Sequence, residues 1–323
     1  MDNNKRNETI VSIICNTYNQ ENYIADAIES FLMQKTDFKY EILIHDDAST
    51  DDTALIIKKY EKMYPDIIKP IYQSENQYSK GVAIGIRYQY PRIKGKYVAY
   101  CEGDDYWLDP YKLQKQVKAL EKHPECDICA HTALMVDAKS KERISIIQPS
   151  IVNKIFTVED VINGGGGFVA TNSLMFRSEN VMHPSKFYSF YRIDYALQIQ
   201  GSLRGGMLYL ADNMSAYRSF AKGSWTEKMS KNPELLINSY NKLIKMLEIV
   251  NEETQGKYSK VISNRIRQEE YLKLQIKEDF KKIIQEYADI LKTEPIKEQI
   301  KIFLKAEIPL LVRLNKWRRK NVK

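Results

Sequence analysis

Two clusters of carboxylates are the residues best able to do chemistry in this sequence. The first is His45-Asp46-Asp47-Ala48-Ser49-Thr50-Asp51-Asp52, and the second is Glu102-Gly103-Asp104-Asp105-Tyr106-Trp107. Asp51 and Asp52 suit the positive end of a helix, and Ser49 or Thr50 suits its cap. Capping gives no account of Asp46 and Asp47, which come before it. One reading is a solvated turn; the sharper one has their carboxylates accepting hydrogen bonds from N–H and O–H groups of a nucleoside. In the second cluster, adjacent like charges repel and need a counter-ion, water, or both. Hard oxygens beside a glycine that allows close approach suit Mg2+ or Mn2+, and such an ion would hold a diphosphate. One Asp-Asp pair alone says little. Two acidic clusters in succession, the second followed by an aromatic pair, point to function.

Strands and helices must position these clusters. Residues 10–15 (IVSIIC) read as a short buried strand, and 21–34 as a helix with Ile24, Ala27, Ile28 and Phe31 on one face. Strands are expected at 40–45, 67–72 and 97–101, a helix at 51–63, and helical structure at 82–90. The helix expected at 110–122 opens with Pro110, where a missing N–H costs nothing. This alternation predicts an α/β fold with a mostly parallel sheet flanked by helices. Ligands of such sheets bind beyond the carboxyl ends of the strands, where both acidic clusters fall. From 126 to 218 the rhythm loosens, with strand-like runs at 128–136, 168–176 and 207–210, a glycine loop at 164–167 and a helix at 194–202. Beyond 225 the period is helical, with one stripe through Leu236, Tyr240, Leu243, Leu247 and Val250. A second runs through Phe280, Ile283, Ile284, Tyr287 and Leu291.

Three segments carry a resemblance: VSIICNTYNQENYIADAIES, EILIHDDASTDDT and GKYVAYCEGDDYWLDPYKLQKQV. In order and spacing they resemble the donor-binding half of family 2 glycosyltransferases of the GT-A fold, over roughly residues 9–225 and most strongly before 136. The resemblance implies that Thr17, Tyr18, Asn19 and Glu21 line a nucleotide pocket. Asp46 and Asp47 match the pair that meets ribose and base, Asp47 being preferred for the base. Asp104 and Asp105 match the metal motif, with Asp105 the preferred direct ligand. Glu102 stands where many members have Asp, keeping the charge with a longer reach toward the sugar and acceptor. Trp107 either stacks on a sugar or nucleoside or packs beneath the metal loop. The acceptor's base is implied to be Asp194, in Arg192-Ile193-Asp194-Tyr195-Ala196-Leu197; a helix N-cap is the other reading, and both can hold. Arg218, with Lys222 and Gly223-Ser224-Trp225, either folds over the diphosphate or, for Arg218, makes a salt bridge. The implied reaction is a single displacement with inversion, aided by Mn2+ or Mg2+. The processive motif Gln-x-x-Arg-Trp is absent, so one sugar per encounter is expected.

Composition bounds the rest. The 323 residues are 43% hydrophobic and 28% charged, enough to bury a sizeable core. Four cysteines cannot frame a chain of this length, which suggests a reducing compartment. No apolar run approaches a bilayer span, so a cytoplasmic protein is expected. Residues 1–225 are expected to form the catalytic domain (1–136 the nucleotide-sugar half, 137–225 the acceptor half), and 226–323 a helical region. The last region holds 22 Lys and Arg against 14 Asp and Glu, and residues 313–323 hold six basic groups and no acidic one. That tail, with Leu310, Leu311, Leu314 and Trp317 near one face, is expected at the inner face of an anionic membrane, the alternative being a solvated end on its neighbouring helix. Nucleic acid is set aside, since no basic stripe or matching motif exists. Cys126-Asp127-Ile128-Cys129 lacks a second ligand pair for zinc. The expected partners are a nucleotide-sugar donor, with UDP favoured, and a glycan or lipid-linked glycan acceptor; the oligomeric state is not legible. A sugar-nucleotide nucleotidyltransferase would need a glycine-rich basic loop where Asn16-Thr17-Tyr18-Asn19-Gln20 stands. A silent nucleotide- or glycan-binding module is the other rival.

Overall fold

The computed structural model describes residues 8–221 and 225–307, and for residues 225 and 226 the backbone alone. The chain divides into two compact units, Met1–Lys228 and Met229–Lys323. The first contains β1 (Thr9–Thr17), β2 (Lys39–Asp46), β3 (Ile68–Tyr72), β4 (Tyr97–Tyr100), β5 (Tyr106–Trp107), β6 (Ile128–Asp137), β7 (Arg143–Ile147), β8 (Lys154–Phe156), β9 (Met175–Arg177) and β10 (Met207–Ser219). They form one sheet in the order β3-β2-β1-β4-β9-β6-β10-β5, with β7 on β6 and β8 on β10. The β3-β2-β1-β4 half is parallel throughout. Beyond β4 the sheet is mixed, because β9 runs antiparallel to both β4 and β6, and β10 runs parallel to β6. The carboxyl ends of β1, β2, β4, β6 and β10 therefore share one edge with the amino end of β9.

Sequence explains the parallel half. In β1 the run Val11–Cys15 is buried on both faces, as a strand covered by helices on both sides must be. The helix Ile24–Leu32 buries Ile24, Ala27, Ile28 and Phe31 against Val11, Ile13, Ile42, Ala99 and Trp107 in one core. Several expectations need correction. The helical structure expected at 82–90 is present, but as a π turn at Gly85–Gln89 that passes into a 3-10 turn at Tyr90–Arg92, where Pro91 supplies no N–H to continue an α-helix. The helix expected from Pro110 begins at Lys112, and the Pro110 carbonyl instead accepts from Lys35 N–H. Ser49 and Thr50 do not cap the next helix, Thr53–Met63; the Asp51 carboxylate takes the Thr53 N–H at 3.0 Å. Residues 168–176 hold a 3-10 turn, Thr171–Ser173, before the short β9. Residues 207–210 are only the start of a 13-residue strand, in register with β6 from Met207 to Ser219 with a bulge near Asn213.

The second unit is helical: Pro233–Glu253, Ser259–Lys277, Phe280–Glu286, Ala288–Leu291 and Ile296–Glu307. Asn232 caps the first by accepting from Leu235 N–H, with Pro233 at the first helical position. Tyr271, Leu274, Phe280, Ile283, Leu291, Ile302 and Ala306 form its core. Among the described residues no helix is long and apolar enough to cross a membrane.

One buried cation sits in the first unit's core. Lys112 is fully buried, donates to Gln116 Oε1 at 2.7 Å and lies 4.1 Å from the Trp107 ring centroid. Burial lowers its pKa to about 7. The unfolded chain, with an ordinary lysine, holds the proton to much higher pH, so folding stability rises between pH 7 and the lysine's normal range. Urea unfolding at pH 7 and pH 9 should show wild type gaining on Lys112→Met by up to about 1.4 kcal/mol per pH unit. Equal slopes in the two proteins would refute this.

Candidate active site

The site grows around the carboxyl end of β1. Register places Thr17 beside Asp46 on β2, and Asp47 N–H donates to the Thr17 carbonyl at 3.0 Å. On the other side, Cys101 N–H donates to the Ile14 carbonyl and Gly103 N–H to the Asn16 carbonyl. The two acidic loops thus flank one strand end. Glycine at 103 is required by this approach, since a Cβ there would lie 2.4 Å from Gln20 Oε1 and 2.8 Å from Thr17 Oγ1.

The loop after β1 and the loop after β2 are laced together. Asn19, in the left-handed region at φ 53°, donates its N–H to Ser49 Oγ and accepts from Thr50 N–H through Oδ1. Glu21 N–H donates to Asp51 Oδ2, and Glu21 Oε2 accepts from Asp52 N–H. Thr17 is buried and donates to Gln20 Oε1, whereas Tyr18 is 40% exposed at the rim. Asp46 is buried; its Oδ2 accepts from Ser49 N–H, its Oδ1 has no partner, and burial raises its pKa. Asp47 is buried as well, and its two oxygens accept from Gln77 N–H at 2.8 Å and Tyr78 N–H at 2.9 Å. Of the pair, Asp46 therefore keeps an unused buried acceptor, while Asp47 anchors the loop after β3.

The second cluster also divides its labour. Asp105 is buried, with Oδ2 accepting from Asn172 Nδ2 at 3.0 Å and Oδ1 from Arg218 N–H at 2.8 Å. Each oxygen of the expected direct ligand thus accepts one hydrogen bond inside the protein and keeps a further lone pair, and burial, with the charge of Asp104 next, pushes its pKa well up. Asp104 and Glu102 are half-buried instead. Burial raises the Asp104 pKa, against a hydrogen bond from Gln20. Glu102 is pushed up to about 8 by burial, then by the charge of Asp104 and, further off, that of Asp194. Asn16 Nδ2 is 3.5 Å from Glu102 Oε1 and is itself held through its Oδ1 by Gln89.

Trp107 is 1% exposed, donates to the Asn172 carbonyl and packs 4.7 Å from Phe31, so it supports the loop and offers no face to a sugar. Arg218 is also buried, and the salt-bridge reading is the one observed. It pairs with Asp26, donates to the Asp104 carbonyl at 2.7 Å and lies between the rings of Tyr106 and Tyr23, 4.4 and 5.2 Å away. It braces the acidic loop from within and does not reach out to a diphosphate. Residues 222–224, expected beside it, and the Trp225 side chain lie outside the described residues.

Across the site stands Asp194, the first helical residue of Asp194–Ser202, with Ile193 in the cap position. One oxygen accepts from Tyr195 N–H at 2.8 Å and the other from Thr171 Oγ1 at 2.6 Å. Burial raises its pKa, and the Thr171 and Tyr195 bonds oppose that. Next to Thr171, Asn172 is wholly buried. It donates to Asp105 and the Ala216 carbonyl, accepts from Ser215 Oγ at 2.7 Å, and offers its carbonyl to Trp107. Sequence reading missed this residue; its one signal is the polar run Thr171-Asn172-Ser173 inside the apolar 168–176. All four cysteines are free and buried, and among the described residues no cluster of three or more His, Cys, Asp or Glu is arranged to hold an ion by itself.

The profile of glycosyl transferase family 2 matches residues 12–180, and the chain belongs to that family. An uncharacterised protein of Mycobacterium tuberculosis is 35% identical over 226 residues, 67% of this chain and 60% of the relative, so the chain spans less than two thirds of that relative's length. The Escherichia coli UDP-Glc:alpha-D-GlcNAc-diphosphoundecaprenol beta-1,3-glucosyltransferase WfaP is 38% identical over 112 residues, 35% of this chain and 41% of WfaP. Staphylococcus aureus TarS 1–349, solved with UDP-GlcNAc, superposes with a TM-score of 0.58 at 16% identity, covering 92% of this chain and 81% of TarS. The Pyrobaculum calidifontis mannosyltransferase PcManGT, solved with GDP-Man and Mn2+, gives 0.56 at 17% identity over 96% and 83%. The fold is accordingly that of the GT-A glycosyltransferases.

Because Asn172 satisfies Asp105, Ser215 and the β10 backbone together, Asn172→Ala should strand buried polar groups. Urea unfolding should register a loss of about 1–3 kcal/mol, where an alanine at the exposed Tyr18 costs little. A stability within 0.5 kcal/mol of wild type, about what surface changes give, would contradict the assignment.

Proposed function

We propose that this chain transfers a sugar, with inversion, from a nucleotide-diphosphate sugar to a hydroxyl of a glycan or lipid-linked glycan, one sugar per encounter. The observation carrying this reading is that adjacent residues, Thr171 and Asn172, hold Asp194 and Asp105, which brings Asp194 near enough for its charge to act on Glu102. Asp46, with its unused buried oxygen, is suited to accept from the ribose or base of the donor. UDP is the favoured nucleotide, in keeping with the names of TarS and WfaP; the GDP-Man complex of PcManGT makes GDP the comparison to run. The name of WfaP, with its diphosphoundecaprenol acceptor, also supports a lipid-linked acceptor, as do the basic residues of 313–323, which lie outside the described residues.

The residues fit a divalent cation. Glu102 and Asp104 are half-open hard-oxygen donors whose charges raise each other's cost, and the Arg218 guanidinium is occupied by Asp26 and a main-chain carbonyl. Mn2+ or Mg2+ would be held by Asp104 with Glu102 or its waters, while Asp105 fixes the loop. Bound there, the ion would neutralise charge on the leaving diphosphate. The chain's own part is to orient the donor and to take a proton. Asp194 accepts it from the attacking hydroxyl at the oxygen Thr171 now holds, and its raised pKa makes it a better base than an ordinary aspartate.

Calorimetry of UDP, GDP and CDP with and without Mn2+ tests the donor half. UDP binding that needs the metal and is lost in Asp104→Ala is expected; no binding by any nucleotide diphosphate sinks the reading. Below about pH 8 Glu102 holds a proton that the metal must displace, so Mn2+ affinity should rise from pH 6 to 8 in wild type and less steeply in Glu102→Gln, where Asp104 and Asp105 still hold theirs. Asp194→Asn should bind UDP normally yet lose about 10²-fold or more of turnover. Thr171→Val removes a bond that favours the charged carboxylate, so the acid limb of its kcat profile should move to higher pH.

A further inference from the structure

The helix Ile296–Glu307 has two apolar faces. Ile302 and Ala306 are buried with Phe280, Ile283 and Leu291 in the core of the second unit. On the opposite side Ile296, Ile300, Phe303 and Leu304 are 74%, 54%, 47% and 49% exposed. Their spacing of i, i+4, i+7 and i+8 makes them one stripe along the helix. Lys297 and Lys301 are exposed along its flank. Glu298 pairs with Lys301 at 2.8 Å, and Glu307 closes the helix. A helix already anchored through one face has no packing reason to keep four large side chains in water on the other.

We propose that this exposed face docks on an anionic lipid bilayer, lying in the plane of the headgroups. Charge selects that occupant. From residue 296 to 323 the sequence holds nine Lys and Arg and two Glu, a net of +7, equal to the formal net charge of the whole chain. Apolar side chains flanked by lysines match the acyl and headgroup layers respectively, with the lysine stems covering the boundary. Each basic group near such a surface adds to binding, and salt screens it. A second copy of this chain is disfavoured, because a two-fold contact would set the lysine-flanked face of one copy against that of the other. The proposal deepens the lipid-linked acceptor reading, but vesicles carry neither donor nor acceptor, so it stands or falls apart from catalysis.

Co-sedimentation of the full chain with phosphatidylcholine vesicles, with and without phosphatidylglycerol, is the test. Binding should require phosphatidylglycerol, weaken with added salt, and fall on the order of tenfold when Ile300 and Phe303 are both changed to Ser, at an unchanged melting temperature. The exposed sites make that last condition attainable, and Ile300→Ser alone with a smaller loss serves if the double variant melts early. No dependence on phosphatidylglycerol overturns the proposal. So does full binding by the double variant together with its loss on removal of residues 308–323, which would assign the contact to the basic tail alone. A dimer by light scattering that the double variant dissociates would make the face an interface between copies, and would overturn it as well.

Discussion

The buried carboxylate of Asp105 is the interaction on which the site depends. It sits where β4 ends and takes one N–H from Arg218 on β10 and one amide from Asn172 before β9. Three chain segments distant in sequence are thereby tied at one point. A carboxylate removed from water is costly unless its oxygens are matched, and here each has a donor. The reward is positional. Asp104, one residue away, is fixed at both ends: its carbonyl by the Arg218 guanidinium, its side chain by Gln20. Asn172 then connects to Thr171, whose hydroxyl holds Asp194. Two adjacent residues of one 3-10 turn set the positions of the acidic loop and the facing carboxylate, so neither can shift without the other.

A similar economy governs the nucleotide side. Asn19, Glu21, Ser49, Thr50 and Asp51 exchange hydrogen bonds between the loops after β1 and β2. Their side chains are short and mostly tied to backbone N–H groups, which fixes loop shape without a helix or strand. The positive φ of Asn19 and of Ala48 belongs to these same turns. Ala48 has no side chain able to bond locally, so its left-handed conformation is held by the lacing around it.

The parallel half of the fold was legible because its signals are physical and local. A run such as IVSIIC has to be buried on both faces, and acidic residues at strand ends have to meet water or a ligand. What the sequence hid was which carboxylate does which work. Asp104 and Asp105 are chemically identical neighbours, and only the segments that arrive from residues 172 and 218 decide which one is tied into the interior. The same holds for Asp46 and Asp47, separated by whether the loop at 77–78 folds back. Asn172 escaped for the converse reason: a buried amide looks like a surface residue in a sequence, and its partner Asp105 lies 67 positions away. Arg218 was named with a salt bridge as one reading, but its partner Asp26, 192 positions away, was not legible. The short strands β5 and β8, of two and three residues, are too short to show a period at all.

Internal hydrogen bonds also explain how a group of like charges survives at one sheet edge. Asp105 is held by Arg218 and Asn172 and Asp47 by the loop after β3, which fixes both in place, yet burial and then the charge of Asp104 still push the Asp105 pKa well up. Burial raises the pKa values of Glu102, Asp104 and Asp194 as well, and at Glu102 the charges of Asp104 and Asp194 add to it. Such a site is held in a state that any cation or proton relieves. The fold supplies the energy for that state through the Asp105, Arg218 and Asn172 network, and the unrelieved charge is what gives the edge its affinity for a positively charged or proton-donating group. Rigidity at Asp105 and reactivity at its neighbours are therefore two consequences of one burial.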